Sequence, residues 1–153
     1  MNEQNQKIIT KLLEKNDLTF SELFTANPHV FISDKNPLCK KSSIKLSDLK
    51  NFPYLVFEQG EYNSFYFSEE PFSSPEQNKV ICVRDRATLF NLLIGLNGFT
   101  VSSGVISEEL NGKHIVARPL ELNEKMNIGI ITKKNLALSR YAQSYIQALK
   151  NHI

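Results

Sequence analysis

The stretch DRATLFNLLIGLNGFTVSSG, residues 85–104, carries the parts of a helix-to-strand unit in one run. Asp85 stands where a helix N-cap belongs, and Leu89, Leu92, Leu93 and Leu96 follow at helical spacing. Glycines at 95 and 98 supply a stop, after which FTVS is a short buried strand running into Ser102, Ser103 and Gly104. If Asp85 caps the helix, the amides of Arg86, Ala87 and Thr88 face the strand end, and such a helix start can hold a carboxylate or sulfate. The alternative is that the Asp85 side chain fills that place itself and Thr88 only closes the turn. Ser102, Ser103 and Gly104 stand equally open between two uses, since hydroxyls and unencumbered backbone serve a ligand or plain tight packing.

Outward from this unit the chain alternates. EQNQKIITKLLEK, residues 3–15, places Ile8, Ile9, Leu12 and Leu13 on one helical face, with Asn16 and Asp17 as a stop. LTFSELF, residues 18–24, suits a strand or a short helix. HVFISD has three apolar residues in a row, as in a strand buried on both faces. SIKLSDLKNF is expected to form a short helix capped by Ser47 with Asp48 in its first turn. PYLVFEQG and NKVICVRD follow as strands, Cys82 being placed in the core; the aromatic segment 61–78 between them suits an amphipathic helix and a Ser-Pro loop. After residue 104 come a short SEELNG helix or turn, the strands HIVARPL and MNIGIITKK, and a terminal helix. On that helix Leu138, Tyr141, Ala142, Tyr145, Ile146 and Leu149 share a face. Strands and helices alternating at short intervals predict an α/β fold with a mostly parallel sheet flanked by helices. Ligands then lie beyond the carboxyl ends of the strands.

Composition narrows the function classes. With 153 residues, 41% apolar and 22% charged, the chain has the balance of a folded domain. A formal charge of +2, with no basic stripe, argues against nucleic-acid binding by bulk electrostatics. MNEQNQ is not a secretory signal, and no apolar run approaches the roughly 18 residues that span a bilayer. A cytoplasmic protein with no membrane partner is expected. Cys39, Cys82, His29, His114 and His152 have no ligand-like spacing, so no metal and no cofactor is expected.

Catalytic signatures are missing too. No GxSxG elbow, Walker loop or GxGxxG occurs, and the glycines of IGLNG close a helix rather than open one. The chain is read as no enzyme, although a small enzyme on the same α/β scaffold is an alternative. A second alternative takes residues 5–24 as the start of a winged helix-turn-helix. It is disfavoured because ANPHVFISDKNP continues as extended chain where a recognition helix should follow.

The order of the segments PHVFISDKNPLCKKSSIKLSDL, YLVFEQG, VRDRATLFNLLIGLNGFTVSSGVI, IVARPL and MNIGIITKKN resembles the effector-binding domain of LysR-type transcriptional regulators. The resemblance runs from about Leu18 to about Leu149. It implies a periplasmic-binding-protein-like fold of type II, with a small effector, here an anionic metabolite, between two subdomains. It also implies homodimers that reach DNA through an N-terminal domain without counterpart here. On this pattern residues 1–33 are a remnant of subdomain I with a hinge strand, 34–128 are the effector-binding subdomain II, and 129–153 are the return strand and C-terminal helix. The family's cleft contacts fall on Gln59, Gly60, Thr88, Ser102, Ser103 and Gly104. Asn36 replaces the family's usual His, and the Pro expected after TVSS is absent. With the opposite wall of the cleft largely missing, weak effector binding is expected, as is self-association through the apolar faces of Ile8, Leu12, Tyr145 and Leu149.

Overall fold

A computed structural model describes residues 3–58 and 79–151, and for residues 3–8 the backbone alone. Gln59, Gly60, the aromatic segment 61–78 and the side chain of Ile8 lie outside the described residues. The chain forms two compact units, one from the residues up to Ala26 together with those from Lys125, the other Asn27–Glu124.

The first unit holds helix α1 (Glu3–Lys15), strand β1 (Leu18–Ala26), strand β7 (Met126–Lys133) and helix α4 (Arg140–Asn151). The two strands pair antiparallel, from Leu18 opposite Lys133 to Ala26 opposite Met126, with a bulge at Leu23 that shifts the register between Glu22 and Phe24. Gly129 lies under the Phe20 ring, so close that a Cβ there would meet the ring at 2.5 Å. Residues 18–24 are therefore a strand, which removes the helix-turn-helix reading of 5–24. The terminal helix starts later than its apolar pattern suggested. The Ser139 hydroxyl accepts the Ala142 amide at 3.2 Å in the manner of an N-cap, leaving Leu138 outside the helix.

The second unit is a five-stranded sheet in the order β4-β3-β5-β2-β6. Its strands are β2 (His29–Ser33), β3 (Tyr54–Phe57), β4 (Val80–Val83), β5 (Phe99–Ser102) and β6 (Ile115–Pro119). Strand β3 is parallel to β4 and β5, while β2 runs antiparallel to both β5 and β6. Four strands thus share one direction and β2 alone is reversed. Val30, Phe31 and Ile32 are all buried, because β2 is covered on both faces as its unbroken apolar run requires.

On one face Val30, Ile32, Tyr54, Phe99 and Val101 pack with Leu38, Ile44 and Leu49, the Tyr54 and Phe99 rings stacked at 4.9 Å. The last three come from two short 3-10 turns, Pro37–Lys40 and Leu46–Leu49, and the segment joining them. Ser47 does not cap the second turn. Its side is held by Asp48, which accepts the Lys45 amide at 3.0 Å and the Lys41 ammonium at 2.6 Å. On the other face Phe31, Leu55, Val83 and Ile115 pack against Leu89 and Leu93 of helix α2 (Arg86–Gly95). The helix stops at a left-handed residue, but that residue is Asn97 (φ 54°) rather than a glycine; the Gly98 amide bonds back to the Leu93 carbonyl at 3.1 Å. Asn36, fully buried, accepts the Leu38 amide and donates to the Asn97 carbonyl, tying the first 3-10 turn to this helix end.

Cys82 is exposed, not core, because β4 is the edge strand and only its last residue, Val83, is buried. Helix α3 (Glu108–Asn111) is a single turn capped by Ser107. Among the described residues no helix is long and apolar enough to cross a membrane, and no three potential ligands gather in a metal-binding group.

Candidate functional site

The start of α2 sets the local chemistry. Asp85 adopts an extended backbone; one carboxylate oxygen accepts the Thr88 amide at 2.8 Å and the other the Thr88 hydroxyl at 2.7 Å. These bonds, the amide's first, hold the Asp85 carboxyl below its usual range. The helix start therefore carries its own anion, and both polar groups of Thr88 are taken by it.

Arg86 follows this cap as the first residue of the helix. Arg86, Leu89 and Phe90 lie at the i, i+3 and i+4 positions of one helix face. That face roofs a hollow of about 280 Å³. Its floor is the sheet: Phe31 of β2, Phe57 at the end of β3, and Thr100, Val101 and Ser102 along β5. Phe31 and Thr100 are register partners, so ring and hydroxyl adjoin. Phe57 and Ser102 are the last residues of their strands, which puts the hollow at the carboxyl ends of β3 and β5.

The Arg86 guanidinium lies 5.0 Å from the centre of the Phe90 ring, a cation–π contact, and forms no ion pair with any described residue. Thr100 is 5% exposed, and its hydroxyl has no hydrogen-bond partner among the described residues. That hydroxyl stays open to the hollow rather than sealed in the core.

A second, more open hollow lies across β4, lined by Glu58, Ile81, Cys82, Val83, Arg84, Thr88 and Leu92. Here the charges cancel. Arg84 is bonded to Glu58, which lowers the Glu58 carboxyl and raises the guanidinium from their usual values. No unpaired charge remains among its lining residues to select an anion.

The sequence-derived residues are thus divided. Ser102 lines the first hollow, Thr88 the second, and Ser103 and Gly104 neither. The Ser103 hydroxyl accepts the Val105 amide at 3.4 Å, and Gly104 packs against His29. Gln59 and Gly60 are outside the described residues. Arg86 and Thr100 were missed. The signals for them were local: Arg86 falls on the same helical face as Leu89 and Phe90, and Thr100 alternates with Ser102 in FTVS.

This arrangement, a reversed strand within a sheet of otherwise common direction and a hollow at the strand ends, is that of the periplasmic-binding-protein-like type II fold. Residues 8–153 match the LysR substrate binding domain, and the chain belongs to that family. Among solved structures it is similar to the effector-binding domain of QuiR in complex with shikimate, at 18% identity and TM-score 0.61 over 97% of this chain and 79% of that one. The BenM effector-binding domain with benzoate is 17% identical at TM-score 0.62, covering 95% and 74%. HinK, a LysR-family regulator from Pseudomonas aeruginosa, is 14% identical at TM-score 0.65; 89% of this chain spans 48% of HinK. Among curated proteins none matches the chain.

Proposed function

We propose that this chain is the sensing portion of a LysR-type transcriptional regulator and that it binds a small organic anion in the hollow between α2 and the ends of β3 and β5. The single observation that carries the reading is the meeting, in one hollow of the Asn27–Glu124 unit, of the Arg86 cation, which forms no ion pair with any described residue, with the Thr100 and Ser102 hydroxyls. A binding role without catalysis is supported by the lining itself. Among the described residues its one ionisable side chain is Arg86, which supplies charge but neither a nucleophile nor a general base at neutral pH. The solved relatives named for shikimate and benzoate give the anion reading its precedent.

In this proposal the chain acts in the cytoplasm as a homodimer and reaches DNA only through a separate N-terminal domain. The ligand acts by favouring one conformation of the domain, shifting a population that exists without it. Binding by this chain alone is weak. The test is thermal unfolding of the whole chain with a panel of small carboxylates and amines of matching size. A bound ligand raises the melting temperature in proportion to the logarithm of its concentration over Kd. Carboxylates should do so and amines should not; equal indifference to every carboxylate at tens of millimolar would overturn the reading.

A further inference from the structure

The hollow's own side chains specify more than an anion. We propose that its ligand is a carboxylic acid built on a single flat ring that bears a hydroxyl, an inference that rests on the anion-sensing reading above. Arg86 takes the carboxylate, the rings of Phe31, Phe57 and Phe90 enclose the ligand ring, and Thr100 with Ser102 takes the ring hydroxyl.

Three observations lead there. The first is size. A volume of about 280 Å³ is at the small end of ligand cavities, which run from about 300 to 1,000 Å³. It matches one ring with its substituents. The second is the wall. Three phenylalanines and Leu89 line the hollow, and aromatic rings favour stacked or edge-to-face packing against another flat ring. The guanidinium over Phe90 is already held at the roof, so the carboxylate is received at one side of the hollow and the ring lies across the aromatic floor.

The third observation is the pair of hydroxyls. Thr100 and Ser102 are two apart on β5 and so face the same side of the sheet, and neither hydroxyl is hydrogen-bonded to a described residue. An apolar ring would seal the nearly buried Thr100 hydroxyl away from water with nothing to bond. A ring hydroxyl can both donate to and accept from the two side chains. A site that offers such groups discriminates against the analogue lacking the hydroxyl.

The experiment is a titration of the whole chain, followed by amide chemical shifts, with 3-hydroxybenzoate, 4-hydroxybenzoate, benzoate and benzylamine. At least one hydroxybenzoate should bind about tenfold more tightly than benzoate, and benzylamine should not bind. Arg86→Gln should weaken both acids about tenfold or more, and Arg86→Lys should recover part of the loss. Thr100→Val should abolish the advantage of the hydroxy acid over benzoate, and Thr100→Ser should restore it. Benzoate binding as tightly as both hydroxybenzoates overturns the hydroxyl assignment, and binding unaffected by Arg86→Gln overturns the carboxylate assignment. If acyclic carboxylates of the wider panel bind and the ring acids do not, this inference fails while the sensing reading stands. If no carboxylate of either kind binds, both fail.

Discussion

Gly104 lies against the imidazole of His29 with no room for a side chain between them. A Cβ at position 104 would stand 2.6 Å from the ring's Nδ1 and 2.7 Å from Cγ, and the backbone there has φ +86°. The ring cannot easily withdraw, because its Nδ1–H donates to the Asn27 carbonyl at 2.8 Å. His29 in turn pairs in register with Ser102, so this contact fixes the turn that follows β5 directly beside the hollow. Gly104→Ala should destabilise the chain by about 1–3 kcal/mol, combining left-handed strain with overpacking. Adding His29→Ala should recover the overpacking part and leave the strain. A double-mutant cycle from urea unfolding separates the two, and additive losses would show that the ring contact is immaterial.

The cap at Asp85 is expected to be sensitive to the kind of side chain rather than to its charge alone. Asp85→Ala leaves the Thr88 amide unpaired and should lower the melting temperature by a few degrees, whereas Asp85→Ser should retain most of it. Equal losses for both substitutions would mean that the cap bond contributes little.

Acid should weaken the fold in a defined window. Asp85, Asp48 and Glu58 all have carboxyl groups lowered by hydrogen bonds, from Thr88, Lys41 and Arg84 respectively. A lowered native value means that the unfolded chain binds protons first. Their contribution is therefore complete above the ordinary values of 3.8 for Asp and 4.5 for Glu and is lost as pH falls through the lower native values. The urea midpoint should hold from neutral pH to about 5 and decline below it. Asp85→Asn should flatten that decline, and a midpoint independent of pH in this range would contradict the assignment.

The core should respond to position along α2 and not to hydrophobicity. Leu93 is fully buried, and Leu93→Ala should cost about 2–5 kcal/mol. Its neighbour Ile94 is 39% exposed, and Ile94→Ala should cost under about 1 kcal/mol. Similar losses at both positions, measured by urea unfolding, would mean that the helix packs on the sheet by another face.

Self-association is expected through the first unit. None of the described residues before Asn27 or after Glu124 belongs to the buried core, and Leu12, Tyr141 and Tyr145 are 42%, 77% and 66% exposed. Sedimentation at micromolar concentration should give the mass of a dimer, and Tyr145→Glu should shift it toward the monomer. A monomer across the micromolar range would overturn this.

Sequence patterns showed most of the architecture because they are local. The unbroken Val30-Phe31-Ile32 run announced a strand covered on both sides, and Asp85 announced the start of α2. Burial at Cys82 was misjudged because an apolar run of four does not say whether its strand ends at an edge; strand order does, and that is set by distant pairings. The reversed direction of β2 was equally illegible, since a strand reads the same from either neighbour. Ser102 was singled out from its place at a strand end, and it lines the hollow. Arg86 was passed over because an arginine beside an N-cap looks like solvated surface until its helix face is seen to roof a hollow.

The reversal of β2 has a further meaning. The chain comes into the five-stranded sheet along β2 and goes out along β6, and these are adjacent antiparallel strands, with His29 opposite Pro119 and the Leu120 amide bonded to the Pro28 carbonyl. The Asn27–Glu124 unit is thus an insertion whose inlet and outlet are laced together by backbone bonds. Fraying at the end of either strand therefore frays the entry and the exit of the unit together.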